Sequence, residues 1–89
     1  MENYLRKKKN LKRSIQATEK KIEELKKQKT TLEAKAKVSP SVIFNADIAL
    51  INATIVELNG RLIDKRADLA SVEKVLKIQE EIYAAQQMQ

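Results

Sequence analysis

Apolar side chains recur along this chain at alternating spacings of three and four residues, the period that lines up one stripe of an α-helix. Tyr4, Leu11, Ile15, Thr18, Ile22, Leu25, Leu32 and Ala36 hold the phase in the first part of the chain once Lys8 and Lys29 are counted in. The two lysines weaken the stripe without breaking it, because their aliphatic stems can lie along it while the ammonium groups reach water. A second run, Ile48, Ile51, Ile55, Leu58, Leu62, Leu69, Val72, Leu76 and Tyr83, keeps the same rhythm with Lys65 and Gln79 as polar members.

Between the runs stands Val38-Ser39-Pro40-Ser41, the strongest interruption in the sequence. Pro40 pushes its predecessor out of the α region and suits the first turn of a new helix. The pattern therefore predicts helix 1 over 2–37, a turn at 38–40 and helix 2 over 41–85, with Ser39 as N-cap and a frayed tail at 86–89. Asn59-Gly60 is also a hairpin-turn dipeptide. The heptad phase continues through it from Ile55 to Leu76, so one continuous helix is expected, with Gly60 costing about 1 kcal/mol relative to Ala. Three pairs, Glu2–Arg6, Glu23–Lys27 and Glu33–Lys37, have the spacing and order that support a helix, at ~0.2–0.5 kcal/mol each.

Folding the chain back at the break gives an all-α, antiparallel two-helix coiled-coil hairpin, a single domain over 1–89 and roughly 55 Å long from the rise of helix 1. In the expected register Leu32 meets Ile48, Leu25 meets Ile55, Ile22 meets Leu58 and Leu11 meets Leu69. The mixed layers are Lys29 with Ile51, Thr18 with Leu62, Ile15 with Lys65 and Lys8 with Val72, and none of them pairs two charges.

Helix 2 carries one more stripe than that hairpin uses. Ala46, Ala49, Ala53, Val56, Gly60, Ile63, Ala67 and Ala70 form a second seam, turned by about 150° from the first at 100° per residue. Alanines alone would be ordinary surface helix formers. Val56, Ile63 and Gly60 in the same phase point instead to a second interface. A twofold axis lets one patch serve both chains, so a homodimer of hairpins, four helices with helix 2 inside, is expected. A helix from a different protein would satisfy the same surface.

Composition narrows the chemistry. The chain has one Gly, one Pro, no Cys and no His, with 34% charged residues and a net charge of +6. Without His or Cys, the commonest bases, nucleophiles and transition-metal ligands are missing. The carboxylates Asp47, Glu57, Asp64, Asp68 and Glu73 are strung along one helix rather than gathered in a pocket. Asp64 and Asp68, with Lys65 and Arg66 between them, read as solvated charges. A lone Gly60 makes no phosphate loop. No enzyme activity, cofactor, metal or small-molecule substrate is expected.

The absence of an apolar segment in the first 15 residues argues against a secretory signal. Asn45, Asp47, Asn52 and Glu57 interrupt the apolar run from Val42 to Leu58, so crossing of a bilayer is not expected. With no Cys a reducing compartment is compatible, and a cytoplasmic location is expected. The sequon Asn52-Ala53-Thr54 lies inside the helix pattern and reads as chance.

Charge is divided unevenly: residues 1–37 hold 13 Lys/Arg against 5 Asp/Glu, and residues 38–89 hold 5 against 7. Arg6, Lys7, Lys8, Lys9, Lys12 and Arg13 form a cluster without an acid. Arg6, Arg13, Lys20 and Lys27 repeat every seven residues, about 10.5 Å apart on a helix. These eight residues are the candidate contacts for an anion or nucleic acid. A solvated outer face gives the same pattern, and no aromatic residue is interleaved to stack a base. The expectation is a non-enzymatic interaction module, an adaptor, assembly factor or small inhibitor, that self-associates through helix 2 and binds a protein partner. A nucleic-acid-binding hairpin dimer is the alternative.

Overall fold

Where the heptad pattern breaks, the chain reverses direction. The computed structural model describes residues 2–88, and the side chains of 3–88. It consists of α1, Glu2–Val38, and α2, Val42–Gln87, packed against each other as a two-helix hairpin. The expected Glu2–Arg6 pair lies outside the described side chains.

Helix α1 ends with Lys35 and Lys37 in its last turn, where cations meet the negative end of the helix dipole. The Ser39 N–H donates to the Lys35 carbonyl at 2.9 Å and closes that turn. Pro40 has no N–H to continue it. The next helix starts later than the sequence predicts. Ser41, not Ser39, is the N-cap: its backbone is extended at φ −145° and ψ 137°, and its hydroxyl accepts from the Ile43 N–H. Pro40 thus precedes the cap instead of opening the helix, and the cap falls on the serine whose oxygen can reach two residues ahead.

Helix α2 is continuous through Asn59-Gly60, with no positive φ among the described residues. At its far end it runs on to Gln87, beyond the expected limit at residue 85, and Met88 donates from its N–H to the Ala84 carbonyl. The hairpin is 74 Å long and 16 by 15 Å across, longer than the rise of α1 alone because α2 has 46 residues against 37. Tyr83, expected on the seam, is exposed where α2 outruns its neighbour.

The core is the predicted pair of stripes. Ile15, Ile22, Leu62, Val72 and Leu76 are buried with Thr18, while Leu11, Leu25, Leu32, Ile48, Ile51, Ile55, Leu58 and Leu69 are half-buried. Among the described residues no large side chain is completely enclosed. Two layers of helix cannot surround a side chain, so the apolar area removed from water is small for the length of chain ordered.

The register differs from expectation by one layer. Lys65 lies against Thr18 rather than Ile15, and its ammonium donates to the Thr18 hydroxyl at 2.8 Å. Arg66 and Glu19 make the adjacent ion pair at 3.5 Å, and Ile22 and Leu62 line the same groove. The expected register sets a lysine against Ile15 and a hydroxyl against Leu62. The observed one gathers both polar side chains into one layer and sets Leu62 beside Ile22. The surface pairs also shift: Glu23 contacts Lys26 and Glu33 contacts Lys29, in place of Lys27 and Lys37. Exposed ion pairs differ so little in energy that spacing alone does not choose between them.

Candidate functional site

On α2 the second seam faces solvent along its whole length. Ala46, Ala49, Ala53, Val56, Gly60, Ile63, Ala67 and Ala70 are all exposed, Val56 at 72% and Ile63 at 66%. Helix geometry explains the exposure: α1 covers the Ile48-to-Leu76 stripe, and this one lies on the far side of the same cylinder. A Cβ added to Gly60 would meet nothing within 4 Å. Packing inside the hairpin therefore gives the glycine no steric reason.

The apolar face extends beyond these eight positions. Val42 is 84% exposed, Ile43 71% and Leu50 68%. Val42 sits one heptad before Ala49, so its membership in the stripe was legible. Ile43 and Leu50 flank the stripe instead of lying on it, and only the exposure identifies them. At the hairpin tip, Ala34, Lys35, Val38, Ser39 and Phe44 line a shallow, mostly apolar groove. Contiguous apolar surface of this kind marks a contact site more often than isolated exposed residues do.

Helix α1 presents the cations. Arg6, Lys7, Lys9, Lys12, Arg13, Lys20 and Lys27 are exposed, whereas Lys8 is half-buried on the seam and separates from the outward set. Among the described side chains none of these eight lies within 4.0 Å of a carboxylate, since the acids of α1 that pair do so with Lys26, Lys29 and Arg66. At the same end, Glu73 and Glu80 of α2 share a groove with Leu5, Lys8, Lys74 and Lys77, so carboxylates stand beside the cluster.

The carboxylates stay apart. Among the described residues no three acidic side chains converge to hold a metal ion. By length and composition α2 is apolar enough to cross a membrane, and the stretch that qualifies is not buried. Asn45, Asp47, Asn52 and Glu57 fall in this part of the helix. No protein-family model, curated protein or solved structure matches the chain, so these surfaces alone carry the functional argument.

Proposed function

We propose that this chain is a cytoplasmic, non-enzymatic interaction module, an adaptor, assembly factor or small inhibitor. It self-associates through the outer face of α2 and offers the remaining faces of the bundle to a protein partner. The observation that supports this reading is the exposed apolar face from Val42 to Ala70 on a helix whose other stripe is already covered. Burial of apolar area is what stabilises association, and a core with no enclosed large side chain leaves stability to be gained there. The assembly is a homodimer of coiled-coil hairpins, four helices with α2 inside and the cationic α1 outside. Crossing of a membrane is disfavoured by the polar side chains between Asn45 and Glu57, each costly in hydrocarbon.

Placing glutamates on the face tests the reading. Ala53→Glu with Ala67→Glu lies away from the α1 contact, so both helices should persist by circular dichroism while the mass measured by light scattering falls from dimer to monomer. An unchanged mass refutes self-association through this face.

The set of outward cations without carboxylate partners favours a second reading, binding of nucleic acid by α1. Replacing Arg6, Lys7, Lys9, Lys12 and Arg13 by Gln should then abolish retention of generic duplex RNA or DNA at low salt. If the unmodified chain binds neither at low salt, where counterion release is most favourable, this second reading is wrong.

A further inference from the structure

The order of large and small side chains along the exposed seam constrains how two copies would meet. Resting on the proposed self-association, we infer that the second copy lies antiparallel along α2, with the twofold axis passing between Ala53 and Val56. In that register Val42 packs on the partner's Ala67, Ala46 on the partner's Ile63, Ala49 on the partner's Gly60 and Ala53 on the partner's Val56.

Side-chain size supports this arrangement. The exposed seam sets three large residues, Val42, Val56 and Ile63, among small ones. A parallel pair would set each residue against its own copy, Ile63 on Ile63 and Gly60 on Gly60, stacking bulk on bulk beside a gap. The antiparallel register puts a small residue opposite each large one, and such complementary filling is what close packing requires. The paired stretch from Val42 to Ala67 is about 38 Å long at 1.5 Å per residue. Its one layer of two small residues, Ala49 with the partner's Gly60, is where the backbones come closest. That gives Gly60 the steric role the hairpin alone does not supply.

Charge gives an independent reason. The cluster from Arg6 to Arg13 sits at one end of a molecule 74 Å long. Parallel hairpins would bring the two clusters to the same end, whereas antiparallel hairpins hold them at opposite ends, well beyond the roughly 8–10 Å screening length of physiological salt. Along the flanks of the proposed seam Arg66 meets the partner's Asn45, Asp64 meets the partner's Ile43 and Glu57 meets the partner's Leu50. No like charges face each other. The antiparallel register one heptad further sets Glu57 against its own copy, with the repulsion that follows.

The chain has no cysteine, so introduced thiols report cleanly. Variants Ala46→Cys and Ile63→Cys are oxidised mildly, separately and as a mixture. These positions are about 25 Å apart along one helix at 1.5 Å per residue, so in the proposed register each variant alone places its thiols beyond the ~7 Å Cα limit for a disulfide. A cross-linked dimer should form only in the mixture. Ala49→Cys mixed with Gly60→Cys should behave alike and guards against a packing defect at Ile63. Disulfide in either variant alone establishes a parallel pair and overturns the inference, and cross-linking of Ala46→Cys with Ala70→Cys overturns the register. Absence of any cross-link with a dimeric mass for the unmodified chain overturns the arrangement but not self-association, whereas a monomeric mass defeats both.

Discussion

The ammonium of Lys65 lies 2.8 Å from the hydroxyl oxygen of Thr18, a hydrogen bond that joins α1 to α2 in the middle of a mostly apolar interface. Thr18 is buried and also donates to the Ser14 carbonyl at 2.8 Å, so its hydroxyl is used in both directions. A polar layer of this kind contributes less to stability than an apolar one and more to the choice of register.

Removing one partner should therefore hurt, and removing both should help. Thr18→Val should lower the free energy of unfolding by about 1–2 kcal/mol, because the half-buried ammonium loses its acceptor. Thr18→Leu combined with Lys65→Leu should raise it above that of the unmodified chain, since two more leucines then enter the seam. Denaturant unfolding of both variants checks this. A double variant less stable than the unmodified chain would contradict the role assigned to the layer.

Gln79 is the opposite case. Its Oε1 is buried on the seam without a hydrogen-bond partner among the described residues. An unsatisfied buried acceptor costs about 1–3 kcal/mol, so Gln79→Leu should stabilise the hairpin by a similar amount. A lower melting temperature would show that the amide does find a partner.

Packing should matter at the centre of the seam and not at the open end. Ile22→Ala, within the core, is expected to cost about 2–5 kcal/mol. Ile78→Ala, on an exposed face of α2, should stay within about 0.5 kcal/mol. Equal losses would contradict the assignment of the interface.

These residues also show how far the sequence could be read. The positions of Ile15, Ile22, Leu62 and Val72 follow from heptad spacing, and the break follows from Pro40. Spacing could not choose between registers one layer apart, because sliding a regular stripe leaves most of its layers apolar. The pairing of Thr18 with Lys65 decided it, and that depends on where a flexible ammonium reaches. The N-cap was misplaced for a related reason: Ser39 and Ser41 flank Pro40 symmetrically, and only backbone geometry shows that Ser41 caps α2. The apolar face of α2 was visible as Val56, Ile63 and Gly60 in one phase, whereas Ile43 and Leu50 share a neighbouring heptad position that continues as Glu57 and Asp64, so no apolar stripe marks them.

Gly60 separates local from intermolecular effects. A Cβ there meets nothing within 4 Å in the same hairpin, and leucine is a better helix former than glycine by about 1 kcal/mol. Gly60→Leu should therefore keep or increase helicity in dilute solution while weakening association, because the added side chain enters the layer of closest backbone approach. Circular dichroism at low concentration and light scattering at high concentration give the two readings. Stronger association would contradict the proposed layer.

In the proposed assembly α2 is covered on both sides, by its own α1 and by a second copy. Sedimentation equilibrium of the unmodified chain over a range of concentrations tests it most directly, because association then follows mass action. The mass should rise from 10.2 kDa to about twice that value and level there. A mass that stays at one chain up to the highest concentration, with Val56 and Ile63 left in water, would contradict it.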